Sequence, residues 1–250
     1  MIRRLLLAVA VLAALGVPAA RADVKLPAFF SDGMVLQQGM ACPIWGTADP
    51  GEEVTVAINL GGTGGASFKA QADKDGRWKT TLPRFGAGGP YTLTVGGKNK
   101  VTIKDVYVGE VWVASGQSNM EWSVNAGETP DKVKAASKNP NIRLFTVKKT
   151  AADKPQTDVP RDKYNGKWLE CGPDTVGPFS AVAYHFAKDL QKALGVPVGI
   201  IHTSWGGTAA EQWTRMEILD ANPRHKGKHP GQAKLYNGMI APLIPYAIKG

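Results

Sequence analysis

The chain has 250 residues, 43% hydrophobic and 20% charged, the composition of a folded globular protein rather than a disordered or fibrous one. Its formal charge of +9 comes from Lys and Arg scattered along the sequence, with only a loose cluster at Lys226 and Lys228, so a nucleic-acid partner is not expected. The two cysteines, Cys42 and Cys171, and the dispersed histidines offer no metal-ligand spacing, and whether the thiols bridge depends on geometry that sequence does not carry.

Arg3 and Arg4 precede a continuous apolar run from Leu5 to Val17, and Ala20-Arg21-Ala22 follows as a small-x-small cleavage site. Residues 1–22 therefore read as a secretory signal peptide whose apolar run is too short to span a bilayer as a helix. Loss of Arg3, Arg4 and Arg21 takes the formal charge from +9 to +6. The mature chain is expected to begin near Asp23, secreted or periplasmic, with no cysteine after the cleavage site for a lipid anchor and no membrane partner.

Residues 23–104 read as all-β. Val54-Thr55-Val56-Ala57-Ile58 alternates in character, the turn signals Asp49-Pro50-Gly51 and Asp75-Gly76 separate short strands, and Tyr91-Thr92-Leu93-Thr94-Val95 follows Gly88-Gly89-Pro90. This spacing predicts a small antiparallel β-sandwich, with no catalytic constellation in it. The pattern changes at Asp105. Val106 to Ala114 is nearly unbroken in apolar character, as in a strand buried on both faces of a parallel sheet. A short helix is predicted over Asp131–Lys138 and a strand over Ile142–Val147, followed by a polar excursion from Thr150 to Trp168. Phe179, Val182, Phe186, Leu190 and Leu194 recur at helical spacing, and Val198–Thr203 reads as the next buried strand. Thr208-Ala209-Ala210-Glu211 has the form of a capping box before a further helix. Strands and helices alternating in this way predict a parallel α/β unit over residues 105–250.

Two loops carry the chemistry. Gly116-Gln117-Ser118-Asn119-Met120 follows the buried strand ending at Ala114, so Ser118 falls where open α/β sheets bind ligands. A serine oxygen there is a candidate nucleophile, needing a base for its proton; the plain alternative is a helix cap. The full G-x-S-x-G elbow is absent, because Met120 holds its last position. Thr203-Ser204-Trp205-Gly206-Gly207-Thr208 follows the second buried strand, and its backbone N–H groups could stabilise an oxyanion; the plain alternative is a tight loop. Trp122, Trp205 and Trp213 flank the loops, either to stack on a sugar or to pack. Glu121 and Glu211 could form an acid pair, although capping is the better role for Glu211. Of the histidines, His202 lies inside a strand, His185 beside an apolar helix face, and His225 and His229 in a polar loop expected to be exposed.

The stretch from Asp105 to Trp122, centred on Gly116-Gln117-Ser118-Asn119-Met120, resembles the first block of sialate O-acetylesterases, members of the SGNH hydrolase superfamily. Phe179–Tyr184 and Gly195–Gly199 resemble that family's helix and following strand, Ser204–Thr208 its second block, and Leu235–Leu243 the segment before its third. Ser31–Gln37 resembles its N-terminal region. The resemblance implies a flavodoxin-like SGNH hydrolase domain over residues 105–250. In it Ser118 is the nucleophile, Ser118, Gly206 and Gly207 are the candidate oxyanion-hole donors, and Gln117, Asn119 and Trp205 bind substrate. It implies no metal or organic cofactor, and an O-acetylated sugar as the partner: sialic acid, a related sugar or, in a rival reading, acetylated plant polysaccharide. A second rival is a non-catalytic sugar-binding protein. The family's third block, Gln-Gly-Glu-x-Asn, and its late Asp-x-x-His or Asp-x-His segment have no counterpart here. The 250 residues are therefore expected to be the N-terminal portion of a longer chain, incomplete in its hydrolase domain and a poor esterase alone. The oligomeric state is left open.

The export reading has a direct check: N-terminal sequencing of exported protein should read Asp23 or a close neighbour, and an intact Met1 would contradict it.

Overall fold

The computed structural model describes residues 23–228 and 231–250, so the signal-peptide reading of residues 1–22 and the reading of His229 lie outside the described residues. In chain order the strands of the first part are β1 (Val35–Gln37), β2 (Cys42–Thr47), β3 (Glu53–Asn59), β4 (Gly65–Gln71), β5 (Arg77–Leu82), β6 (Gly88–Gly96) and β7 (Lys100–Gly116). There follow α1 (Ser118–Glu121), α2 (Pro130–Ala135), β8 (Asn139–Thr146), β9 (Trp168–Cys171), α3 (Pro173–Val176), α4 (Ala181–Leu194), β10 (Val198–Ser204) and α5 (Met216–Asp220). The result is a mixed α/β structure. β2 and β5 form a two-stranded sheet, with Lys25 bridged to Thr47 at the end of β2, and the other strands form one sheet along the path β4-β3-β6-β7-β10-β8-β9, with β1 also on β7.

The antiparallel pairings expected for residues 23–104 are present between β3 and β4, β3 and β6, β6 and β7, and β2 and β5. In β3, Val54, Val56 and Ile58 are buried while the residues between them are not, the period-2 pattern of a sheet with one covered face. The sharp boundary read at residues 104 and 105, however, falls inside a strand. β7 pairs with β6 in its first half, takes β1 in parallel at Tyr107–Gly109, and from Glu110 to Gly116 runs parallel to β10. At the change in sequence pattern the strand also carries a kink. Asp105 has φ 57°, a left-handed conformation that Asp tolerates better than most residues. Its carboxylate is 2.9 Å from the buried guanidinium of Arg143 on β8. That guanidinium also lies 3.5 Å from Glu170 on β9 and over the Tyr107 ring. One buried cation thus ties the kink in β7 to two other strands.

β10 sits between β7 and β8, parallel to both, and all seven of its residues are buried, as both faces of a parallel strand require. β9 adds an antiparallel edge. Phe29 stacks on Phe145 of β8 at 4.5 Å between centroids, so the core is continuous between the N-terminal segment and the sheet. Beside β7 on its other side, Lys249 N–H donates to Val111 O and Val113 N–H to Gly250 O.

The helical stripe read from sequence holds in part. α4 buries Ala183, Tyr184 and Ala187, while Val182, Phe186 and Leu194 are exposed. Ala183 and Ala187 let the helix lie close on β8 and β10 around the buried Tyr184, with Phe179 in that core and Leu190 packed against it; the exposed Phe186 meets Trp112 edge to face at 5.2 Å. Among the described residues, Cys42 and Cys171 are free, buried thiols. Burial pushes them up to about 11 and about 12, so they are unreactive packing residues.

Candidate active site

The register between β7 and β10 brings the two loops together. Ser204 lies opposite Gly116, and Trp205 N–H donates to Gly116 O at 3.2 Å. Two parallel neighbours therefore release their loops side by side at the carboxyl edge of the sheet, where such sheets bind ligands. α1 begins at Ser118, with Gln117 as its N-cap. Ser118 is exposed, and its hydroxyl donates to Gln117 Oε1 at 3.1 Å. No imidazole among the described residues hydrogen-bonds to it.

The approach of the second loop is close. A Cβ added at Gly206 would lie at packing distance, 3.5 Å, from Ser118 Cα and Cβ and 2.9 Å from Glu121 Oε2, so a larger residue there would displace the Glu121 carboxylate. Gly207 has φ +75°, is exposed, and has open space where a side chain would go. It supplies a left-handed turn and leaves its backbone open to a ligand. A cavity of about 240 Å³ is lined by Gly116, Gln117, Ser118, Asn119, Met120 and Val182. A larger one, of about 810 Å³, lies between the N-terminal strands and the loops at 155–158 and 236–245, away from Ser118.

The structure thus brings together Ser118, Gln117, Asn119, Gly206 and Gly207. Trp205 is half-buried and packs on the main core. Trp213 Nε1 donates to Thr208 Oγ1 at 2.9 Å. Trp122 is the exposed ring of the three, at 59%. The capping box at Thr208 is not formed. Thr208 Oγ1 instead donates to Trp205 O at 2.6 Å, and Gln212 Oε1 accepts from Ala209 N–H at 3.1 Å ahead of a single 3₁₀ turn at Ala210–Trp213. Glu211 lies 3.9 Å from His225, a half-buried rather than exposed residue, and does not meet Glu121 as an acid pair.

Sequence reasoning missed what lies behind the loops. Glu121 forms an ion pair with Lys149 and accepts the N–H of Gly206. The Lys149 hydrogen bond first, and the Gly206 N–H second, hold its carboxyl below the usual carboxylate range. Lys149 Nζ also lies 5.7 Å from the Trp205 ring centroid. His202, buried in β10, has its Nε2 2.6 Å from Ser204 Oγ and its ring edge-on to Phe179. Burial lowers it to about 4, against the opposing pull of Glu121, so it is neutral at neutral pH. Among the described residues no group of His, Cys, Asp and Glu could hold a metal, and no helix is long and apolar enough to cross a membrane.

A serine after one parallel strand, beside a glycine-paired loop released by its neighbour, stands at the edge where α/β sheets bind ligands. Comparison with known proteins gives the particular family. Residues 108–243 match the family described as carbohydrate esterase, sialic acid-specific acetylesterase. The sialate O-acetylesterases of Pongo abelii and Homo sapiens are each 30% identical over 254 residues, covering 90% of this chain and 47% of theirs. The crystal structure of a carbohydrate acetylesterase from Xanthomonas citri superposes with a TM-score of 0.81 at 38% identity, covering 91% of this chain and 50% of that one. The chain belongs to the sialic acid-specific acetylesterase family of carbohydrate esterases. It spans about half the length of the relatives it matches.

The buried His202 predicts an acid-labile fold. Between pH 6.5 and about 4 the unfolded chain binds a proton that the folded chain refuses, so stability falls as the pH is lowered through that window. The full effect is about 3 kcal/mol. Melting temperature measured against pH should drop between pH 6.5 and 4, and His202→Gln should flatten that segment; parallel profiles would contradict the assignment.

Proposed function

We propose that this chain carries the nucleophile and oxyanion loop of an O-acetylesterase acting on acetylated sugars, sialic acids among them. The observation that carries the reading is the register of β7 on β10, which brings Ser118 and the Gly206 loop side by side at one edge of the sheet. In this reaction Ser118 Oγ attacks the acetyl carbonyl carbon. The bond from that carbon to the sugar oxygen breaks, the sugar leaves with a proton, and water then hydrolyses acetyl-Ser118 to acetate. The oxyanion formed at each step meets backbone N–H groups of Ser118 and the Gly206–Gly207 loop. The 240 Å³ cavity beside Ser118 suits an acetyl group rather than a long acyl chain, and Asn119 and the exposed Trp122 ring stand where a sugar would enter.

Among the described residues no imidazole is hydrogen-bonded to the Ser118 hydroxyl. The Ser118 hydroxyl is bonded to Gln117, and the imidazole nearest in the sheet, His202, is bonded to Ser204. Export through residues 1–22 would place the activity outside the cytoplasm, where glycans are met.

Acetate release from O-acetylated sialic acid and from acetylated plant polysaccharide separates the two substrate readings, and absence of release from both by the full chain would favour a binding protein. Ser118→Ala in the active enzyme should lower turnover by on the order of 10⁶ with an unchanged melting temperature. Turnover near the wild-type rate would exclude Ser118 as nucleophile.

A further inference from the structure

Resting on that reading of Ser118, we propose that Glu121 and Lys149 are positioning residues for the oxyanion loop: the Glu121 carboxylate takes up the Gly206 N–H and leaves the Gly207 N–H as the loop's donor to the substrate oxygen.

Glu121 closes α1, three residues after Ser118, and residues three apart lie on one face of a helix. From there its Oε2 accepts the Gly206 N–H and its Oε1 accepts from Lys149 Nζ. The carboxylate is thus gripped by a backbone donor on one side and a cation on the other. The cation itself rests near the ring of Trp205, the residue before Gly206. The groups facing Glu121 from other elements are Lys149, in the segment after β8, and His202 in β10, and the imidazole is neutral at neutral pH. Lys149 is therefore the facing cation that holds the carboxylate.

Two consequences follow for the site. The Gly206 N–H is occupied by a full negative charge, and hydrogen bonds to ionised acceptors are about twice as strong as neutral ones, so a substrate carbonyl will not displace it. The Gly207 N–H has no partner among the described residues, and its surroundings are open. The same contact ties the nucleophile's own helix to the loop after β10, so the Ser118 N–H and the Gly207 N–H keep a fixed spacing. Glu121 does not touch the reacting atoms. Ser118 Oγ is bonded to Gln117, and both Glu121 oxygens are already engaged, so it acts through the loop and not as an acid or base.

The test is a variant series in the full chain, using an acetyl ester, with melting temperature and inhibition by a trifluoromethyl ketone measured in parallel. A misplacement of about 1 Å costs about 10²-fold in rate, so Glu121→Ala should lower kcat about 10²-fold with KM and melting temperature unchanged. The ketone, which forms a tetrahedral oxyanion, should bind more weakly by a similar factor. Glu121→Gln keeps an acceptor for the Gly206 N–H and should recover most of kcat. Lys149→Met should cost about 10-fold, and the Glu121→Ala/Lys149→Met double variant should be no worse than Glu121→Ala, because coupled residues are not additive. Wild-type kcat in Glu121→Ala, or a loss that Gln does not recover and that tracks a fall in melting temperature, would overturn the proposal. Ser118→Ala, assayed alongside, separates the two failures. If it is inactive while Glu121→Ala is unimpaired, only the positioning role falls; if it remains active, the nucleophile and the positioning role fall together.

Discussion

β7 is a single strand of 17 residues, and each part of the molecule is registered on it. Its first half carries the antiparallel strands through β6, its middle takes β1, and its second half pairs with β10. Its last residue, Gly116, stands two positions before Ser118. A strand rises about 3.3 Å per residue and alternates faces, so a slip of one residue against β10 would move Ser118 away from Gly206 and send each inward side chain to the wrong face. Several contacts guard that register. Arg143 holds the kink at Asp105. Glu110, buried where β7 exchanges β1 for β10, accepts amide N–H groups from Gln37 and Gln38, and Gln37 Oε1 accepts from Val111 N–H at 2.7 Å.

Much of this was legible in the amino-acid order because it is local. The apolar run before Gly116-Gln117-Ser118 and the run before Ser204-Trp205-Gly206-Gly207 are strands buried on both faces, and loops at their carboxyl ends follow from the parallel arrangement. What was not legible depends on partners distant in sequence. Lys149 lies beside a polar stretch that reads as plain surface, and nothing in its neighbours announces that it meets Glu121. The α4 stripe misled in part: Phe179 and Leu190 do meet the core, but Val182, Phe186 and Leu194 are exposed and Ala183, Tyr184 and Ala187 fill the buried face. Thr208 has the spacing of a cap, yet its hydroxyl is used by Trp205 O and Trp213 Nε1. The change in pattern at Asp105 falls on a left-handed residue within one strand, a feature that sequence alone did not announce.

The electrostatics of the site are consistent with ester chemistry at neutral pH. Glu121 is ionised and satisfied, His202 is neutral and bonded to a buried hydroxyl, and Gly207 is exposed in the loop that follows β10. The negative charge is therefore spent on holding a loop. Held donors are what a developing oxyanion needs, because donors fixed in advance need no reorganisation during the reaction.

The central claim is that Ser118, and no other hydroxyl, forms the covalent bond to the acyl group. Ser204 is the instructive rival, since it is the serine paired with an imidazole, at 2.6 Å, yet it is buried and that imidazole is structural in this account. Peptide mapping by mass spectrometry, after the active enzyme has been inactivated with a fluorophosphonate ester, reads the answer directly. The account predicts one adduct, on the peptide bearing Ser118; an adduct on Ser204 with Ser118 unmodified would contradict it.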